Sequence, residues 1–204
     1  MNSFRFFSLF FFTLLLSCNN ISLQKNDIEK EEKIIIETVE VDKSDLFLNG
    51  NEGNWYYNDV LYNGYGVKHY ANDSLQQKIG FYHGKKEGVA RMWFLNGVLK
   101  TESHYHKNRL VGVYKVWFSN GVLASESFYE KGKLQGVQKK WYDTGELAKK
   151  MNYEGGRENG MQQGWLKNGT LYVNYEAKNG RTFGMKRADL CYKLENEVIV
   201  RGTK

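Results

Sequence analysis

Six glycines, Gly64, Gly88, Gly112, Gly136, Gly160 and Gly184, are spaced by 24 residues without a slip. A period of this length marks a repeat architecture, in which each unit is one supersecondary element that buries its apolar face only by stacking on its neighbours. Other positions keep the same phase. Trp93, Trp117, Trp141 and Trp165 each follow a glycine by five residues, and Leu99, Leu123, Leu147 and Leu171 follow the tryptophans by six. Between them stand Asn96-Gly97, Asn120-Gly121, Thr144-Gly145 and Asn168-Gly169. Later in each unit come Phe81, Tyr105, Tyr129 and Tyr153. The last turn carries Gly84, Gly132, Gly156 and Gly180, with Asn108 in the same place.

Asn-Gly between two apolar-alternating runs is a strong hairpin signal, because both residues tolerate φ > 0. Residues 112–119 therefore read as one strand and 122–129 as its partner, and residues 131–136 lead into the next unit. Proline would delete ladder donors, and the chain has none. The expected fold is all-β, an elongated antiparallel β-meander of about five 24-residue hairpin repeats. Strand alternation assigns the faces. Val113, Trp117, Leu123 and Tyr129, with their equivalents, are expected to form one apolar ridge. The tryptophans and leucines named above are its structural core. Ala124, Glu126 and Phe128 fall on a wet face. Met92, Phe94, Tyr114, Val116 and Phe118 fall opposite the ridge, so Met92, Phe94, Tyr114 and Phe118 form a candidate interaction patch.

The pattern Gly-x₄-Trp-[Phe/Tyr]-x-Asn-Gly-x-Leu-x₅-Tyr-x₂-Gly-x₃-Gly resembles the MORN-repeat variant over about residues 64–184. The first unit departs from it, with His69 for Trp and Asp73 for Gly, and the last has Ala177 for Tyr. Bacterial proteins similar in this way are often labelled toxin–antitoxin-system antitoxins or membrane-binding proteins. The resemblance implies β-hairpin repeats and an antitoxin-like or membrane-associated binding role.

The N-terminus carries Arg5, then the apolar stretch Phe6–Leu16, then Ser17-Cys18. That stretch is too short to cross a bilayer as a helix and fits a signal-peptide core. An ordinary signal peptide or a buried apolar strand is the alternative. Leu15-Leu16-Ser17-Cys18 resembles the bacterial lipobox, which implies cleavage after Ser17 and lipidation of Cys18. Acyl chains contribute about 0.8 kcal/mol per buried CH₂, and two or more hold a protein stably on a membrane. Asn19 after the cysteine leans the resemblance toward the outer membrane, on its periplasmic or cell-surface side. The expected organisation is a signal peptide (1–17), a polar tether (18–33), a strand and degenerate half-repeat (34–63), repeats (64–183) and a closing strand (184–204). Residues 34–41 read as the first strand, covering an open sheet edge.

Chemistry is sparse. Lys and Arg number 29 against 23 Asp and Glu, with no block dense enough for nucleic acid. Of the four histidines, His69, His83, His104 and His106, the last two share a strand face and could chelate a metal, but no Asp or Glu sits beside them in a ligand spacing and no cysteine joins them, so no metal site is expected. Cys191 reads as a buried inert thiol. No nucleophile–base pairing, catalytic residue, cofactor or small-molecule substrate is expected. The leading expectation is a non-catalytic, lipid-anchored scaffold for an envelope protein partner. A glycan- or phospholipid-binding module and an antitoxin-like binding protein are the alternatives. Export argues against the antitoxin.

Overall fold

The structure, a computed structural model, describes residues 34–185, 192–195 and 198–201, which lie in one compact unit, Ile34–Lys204. The expected signal peptide (1–17), Cys18, the expected tether (18–33) and Cys191 lie outside the described residues. The N-terminal part holds β1 (Glu40–Asp42), β2 (Phe47–Asn49), β3 (Asn54–Tyr57) and β4 (Val60–Leu61). The repeats supply β5 (Gly64–His69), β6 (Leu75–Tyr82), β7 (Lys85–Trp93), β8 (Leu99–His106), β9 (Arg109–Trp117) and β10 (Leu123–Glu130). They continue with β11 (Lys133–Leu134), β12 (Gly136–Trp141), β13 (Leu147–Glu154), β14 (Arg157–Trp165), β15 (Leu171–Lys178) and β16 (Arg181–Met185). Last come β17 (Tyr192–Glu195) and β18 (Val198–Arg201).

From β5 to β16 the strands pair antiparallel in chain order, with the short β11 and then β12 both pairing with β10, so the sheet is a meander of consecutive hairpins, as the period predicts. At its start β1 runs parallel to β5, Glu40 opposite Tyr65. The strand expected over 34–41 is thus confined to 40–42. The single closing strand expected over 184–204 is also revised. Gly184 and Met185 end β16, while β17 and β18 pair with each other as a separate hairpin.

The two ends of each hairpin use different turns, and they are the reverse of the sequence expectation. At the Asn-Gly end the Gly97 N–H donates to Phe94 O (2.9 Å) and the Phe94 N–H to Val98 O (2.8 Å). Only Gly97 has φ > 0 there (+80°), while Asn96 stays at negative φ. This is a turn of type I followed by one left-handed residue. The two-residue turns with both φ positive lie at the other end, at His83-Gly84, Lys107-Asn108, Lys131-Gly132, Gly155-Gly156 and Asn179-Gly180. Their second residue does a job that fixes the period. The left-handed backbone aims its N–H at the preceding unit: Gly84 at Tyr62 O (2.8 Å), Asn108 at Lys86 O (3.0 Å), Gly132 at Leu110 O (2.9 Å), Gly156 at Leu134 O (2.9 Å). Asparagine replaces glycine once because it tolerates this region best among other residues.

Three of the glycines at the 24-residue spacing, Gly88, Gly112 and Gly160, lie in a bulge. Across β8–β9, Glu102 faces Lys115 and His104 faces Val111, so Ser103 alone opposes three residues, Gly112, Val113 and Tyr114, with Gly112 at φ +67°. The same interruption recurs at Ile79/Phe81 and Met151/Tyr153. Extra residues of this kind bend a strand and raise its twist.

A cluster of buried apolar residues lies near the start of the sheet. Leu46, Tyr62, Ile79, Phe81 and Ala90 are buried together, with Val41, Trp55, Tyr57 and Tyr105 packed against them. Phe81, 0% exposed, has the rings of Trp55 and Tyr62 at 5.5 and 5.7 Å. The β2–β4 sheet is tied on by Trp55 N–H to Gly84 O (2.7 Å), and the Tyr62 hydroxyl donates to Tyr65 O (2.9 Å). Tyr62 O accepts from Gly84 as Leu110 O accepts from Gly132, so residues 54–62 serve the first full unit as a preceding half-unit would.

Candidate functional site

Register decides the faces. Phe128 stands opposite Val113, Ser127 opposite Tyr114, Glu126 opposite Lys115 and Tyr129 opposite Gly112. Residues directly opposite share a face. Val113 therefore leaves the expected ridge and joins Phe128, Lys115 and Glu126 on the outer face, at 39% and 45% exposed for the two apolar members. Tyr114 and Val116 join Tyr129 and Ser127 on the inner face, where Ser127 is 2% exposed and the Tyr114 and Tyr129 rings meet edge-on at 6.1 Å. The expected solvent patch is corrected accordingly. Met92, Phe94, Tyr114 and Phe118 are all half-buried, and Met92 pairs with Thr101 in the same inner row as Val116. Period-two counting fails because each hairpin carries two irregularities. One is the glycine bulge. The other is an extra residue, Ala124, between Leu123 and Ser125.

Each repeat tryptophan stands directly opposite a repeat leucine: Trp93–Leu99, Trp117–Leu123, Trp141–Leu147 and Trp165–Leu171. All eight are half-buried. Beyond the N-terminal core the inner face is lined by Tyr105, Tyr114, Tyr129, Tyr153 and Tyr175. Burial raises the hydroxyl pKa of Tyr114, Tyr129 and Tyr153. For Tyr175 burial, then its hydrogen bond to Glu158 Oε2 (2.8 Å), push it up to about 12. Gln138 and Gln162 among these rings have hydrogen-bond partners, as most buried polar groups do. Gln138 Nε2 donates to Ser127 Oγ (2.9 Å), and Gln162, 1% exposed, donates to Asn152 O (2.8 Å).

The Asn-Gly turns form a ladder of their own. Asn96 Oδ1 accepts from Val98 N (3.2 Å) while its Nδ2 donates to Ser119 O of the next unit (2.9 Å). Asn120 repeats both contacts, to Val122 N (3.1 Å) and Asp143 O (2.8 Å). Asp143 in turn meets Lys167 Nζ at 2.8 Å. The histidines go separate ways. His104 Nδ1 lies 3.1 Å from Val113 O, and His106 Nδ1 lies 3.1 Å from Glu87 Oε1. Among the described residues no group of three or more His, Cys, Asp or Glu could hold a metal ion.

Twenty-four-residue hairpins, stapled unit to unit at both ends, offer a repeated surface. Three consecutive units match the family described as MORN repeat variant. The matched segments are residues 86–107, 110–131 and 134–154, that is, β7–β8, β9–β10 and β11–β13. No curated protein matches the chain. These repeats suit a binding or scaffold role, and they are the units in which the outer-face pairs Arg91–Glu102 (2.7 Å) and Lys115–Glu126 (3.5 Å) stand.

Proposed function

We propose that this chain is a lipid-anchored protein of the cell envelope whose MORN-type units act as a non-catalytic scaffold for a protein partner. The observation that carries the reading is the apolar pair Val113 and Phe128, opposite each other on the outer face and exposed at 39% and 45%. Exposed apolar groups that lie together mark interaction surfaces, and this pair sits inside the matched units. The lipobox-like Leu15-Leu16-Ser17-Cys18 supports the anchor, on the outer membrane by the character of Asn19. Crosslinking in native envelope followed by mass spectrometry tests both parts. The expected result is a recurrent protein partner, lost on Phe128→Ser with the melting temperature retained, and an acylated Cys18 peptide. An unprocessed N-terminus in the cytosolic fraction, or crosslinking that never recovers a partner, would overturn the reading.

A further inference from the structure

Two rows of directly opposed residues cross the sheet side by side, one on each face. The inner row reads Gln77, Met92, Thr101, Val116, Ser125, Lys140, Lys149, Gly164 and Val173. The outer row reads Lys78, Arg91, Glu102, Lys115, Glu126, Lys139, Lys150, Gln163 and Asn174. In the outer row Arg91 pairs with Glu102 and Lys115 with Glu126, and Lys78 reaches Glu40. The β12–β13 hairpin breaks this pattern. Lys150 stands where the two preceding units have Glu102 and Glu126, so it faces Lys139 across the strands. Lys140 faces Lys149 on the other side, where those units have Met92 with Thr101 and Val116 with Ser125. All four lysines are exposed, and among the described residues none has an ion-pair partner within 4.0 Å.

Like charges directly opposite each other in a sheet are destabilising, with Cβ atoms only about 4.5–5.5 Å apart. Repeat units that place an acid at the same position show that the fold itself does not demand a lysine there. We infer that the outer face of the β12–β13 hairpin docks an acidic polypeptide segment. Carboxylates of the segment bridge Lys139 and Lys150, and its apolar side chains lie on Val137 and Phe128. The chemistry of the occupant follows from the units themselves. Where a base in this row has a contact, its partner is a glutamate carboxylate, and the β12–β13 hairpin lacks that glutamate. Val137 and Lys139 alternate onto one face of β12, beside Phe128 of β10, and Val137 is 41% exposed. The docking face is therefore continuous with the apolar pair that carries the proposed function. Lys140 and Lys149 add to the positive field that draws such a segment in. The inference rests on the scaffold reading and gives its partner a chemistry.

The test uses the full chain in detergent and a fluorescent decaglutamate peptide, with inorganic phosphate and phosphatidylglycerol vesicles as competing arms. The expected result is salt-sensitive peptide binding, weakened about tenfold or more by Lys150→Glu, since one charge reversal at a close pair is worth upwards of about 1.4 kcal/mol. Glu126→Gln, which frees a base without touching Lys150, should not weaken it. Lys150→Glu also removes a repulsion, so its melting temperature should hold or rise, which excludes unfolding as the cause of lost binding. Binding equal in wild type and Lys150→Glu overturns the inference. So does displacement of the peptide by phosphate or vesicles at lower concentration than by free decaglutamate. Envelope crosslinking of the same variant separates this failure from that of the scaffold reading. A partner captured equally by wild type and Lys150→Glu leaves the scaffold and removes the acidic dock, whereas no partner with either chain removes both.

Discussion

Gly84 and Gly132 hold the same place in the period, yet alanine should affect them unequally. Both are left-handed, at φ +70° and +81°, and both staple a unit to the one before it. A left-handed non-glycine residue costs about 1–2 kcal/mol, and the stiffer unfolded chain offsets about 0.4–1 of that. At Gly132 the nearest atom to an added Cβ is Arg109 Cβ at 3.8 Å, an ordinary contact. Gly132→Ala should therefore cost about 1 kcal/mol, or about 2–4 °C in Tm for a domain of this size. At Gly84 an added Cβ would lie 2.8 Å from Leu61 Cδ2 and 2.8 Å from Trp55 O. Leu61 can swing away, but the Trp55 backbone cannot. Its carbonyl accepts from Tyr62 N at 3.0 Å, and its N–H donates to Gly84 O at 2.7 Å. Moving it loosens two hydrogen bonds of about 0.5–1.5 kcal/mol each, so Gly84→Ala should cost about 2–4 kcal/mol in all. Asparagine separates strain from clash. Gly132→Asn should be close to neutral, as Asn108 is in its own unit, whereas Gly84→Asn should stay costly. Circular-dichroism melts of the four variants give the totals. Hydrogen exchange at the Trp55 and Gly84 amides locates the damage, since repeat arrays can open unit by unit. Equal losses at the two sites for both substitutions would refute the account of the N-terminal sheet as the cause of the difference.

Asn120→Ala removes a cap on Val122 N and a bond to Asp143 O, both exposed, so it should cost about 1–2 kcal/mol in urea unfolding. Thr144, at the same repeat position, lacks the link to the next turn, so Thr144→Ala should cost less. Tyr114, Tyr129, Tyr153 and Tyr175 have folded pKa values raised above the unfolded value near 10, so the neutral form is the one the fold favours. Their contribution is complete below pH 10 and is lost as pH climbs through the folded values. Melting temperature should thus fall above about pH 10, and less steeply in Tyr175→Phe. Phe128→Ala should cost no more than about 1 kcal/mol, because Phe128 is 45% exposed, while Tyr129→Ala on the inner face should cost several times more. Equal losses at these neighbours would contradict the face assignment.

The repeat was legible because period is a property of the chain. Gly88, Gly112 and Gly160 recur because the bulge needs φ > 0 at one place per unit, and the sequence displays that need without any tertiary information. Antiparallel hairpins and the half-unit around Trp55 and Tyr56 follow from the same phase. Which face of each strand is covered did not follow. Two irregularities per hairpin shift alternation out of step, and only the cross-strand partner shows that Val113 sits with Phe128 and Tyr114 with Ser127. Turn types were hidden for a similar reason. Lys107 and Lys131 take left-handed backbone because the next residue must reach back to Lys86 and Leu110, contacts that are distant in sequence. The lysines of β12 and β13 are plain in the sequence as two separate pairs, Lys139-Lys140 and Lys149-Lys150. Register alone sets each member of one pair against a member of the other and makes the repulsion that marks the hairpin. Local conformational need is written into single residues and survives in one dimension. Pairing across strands is a relation between distant residues, and it exists only once the chain has folded.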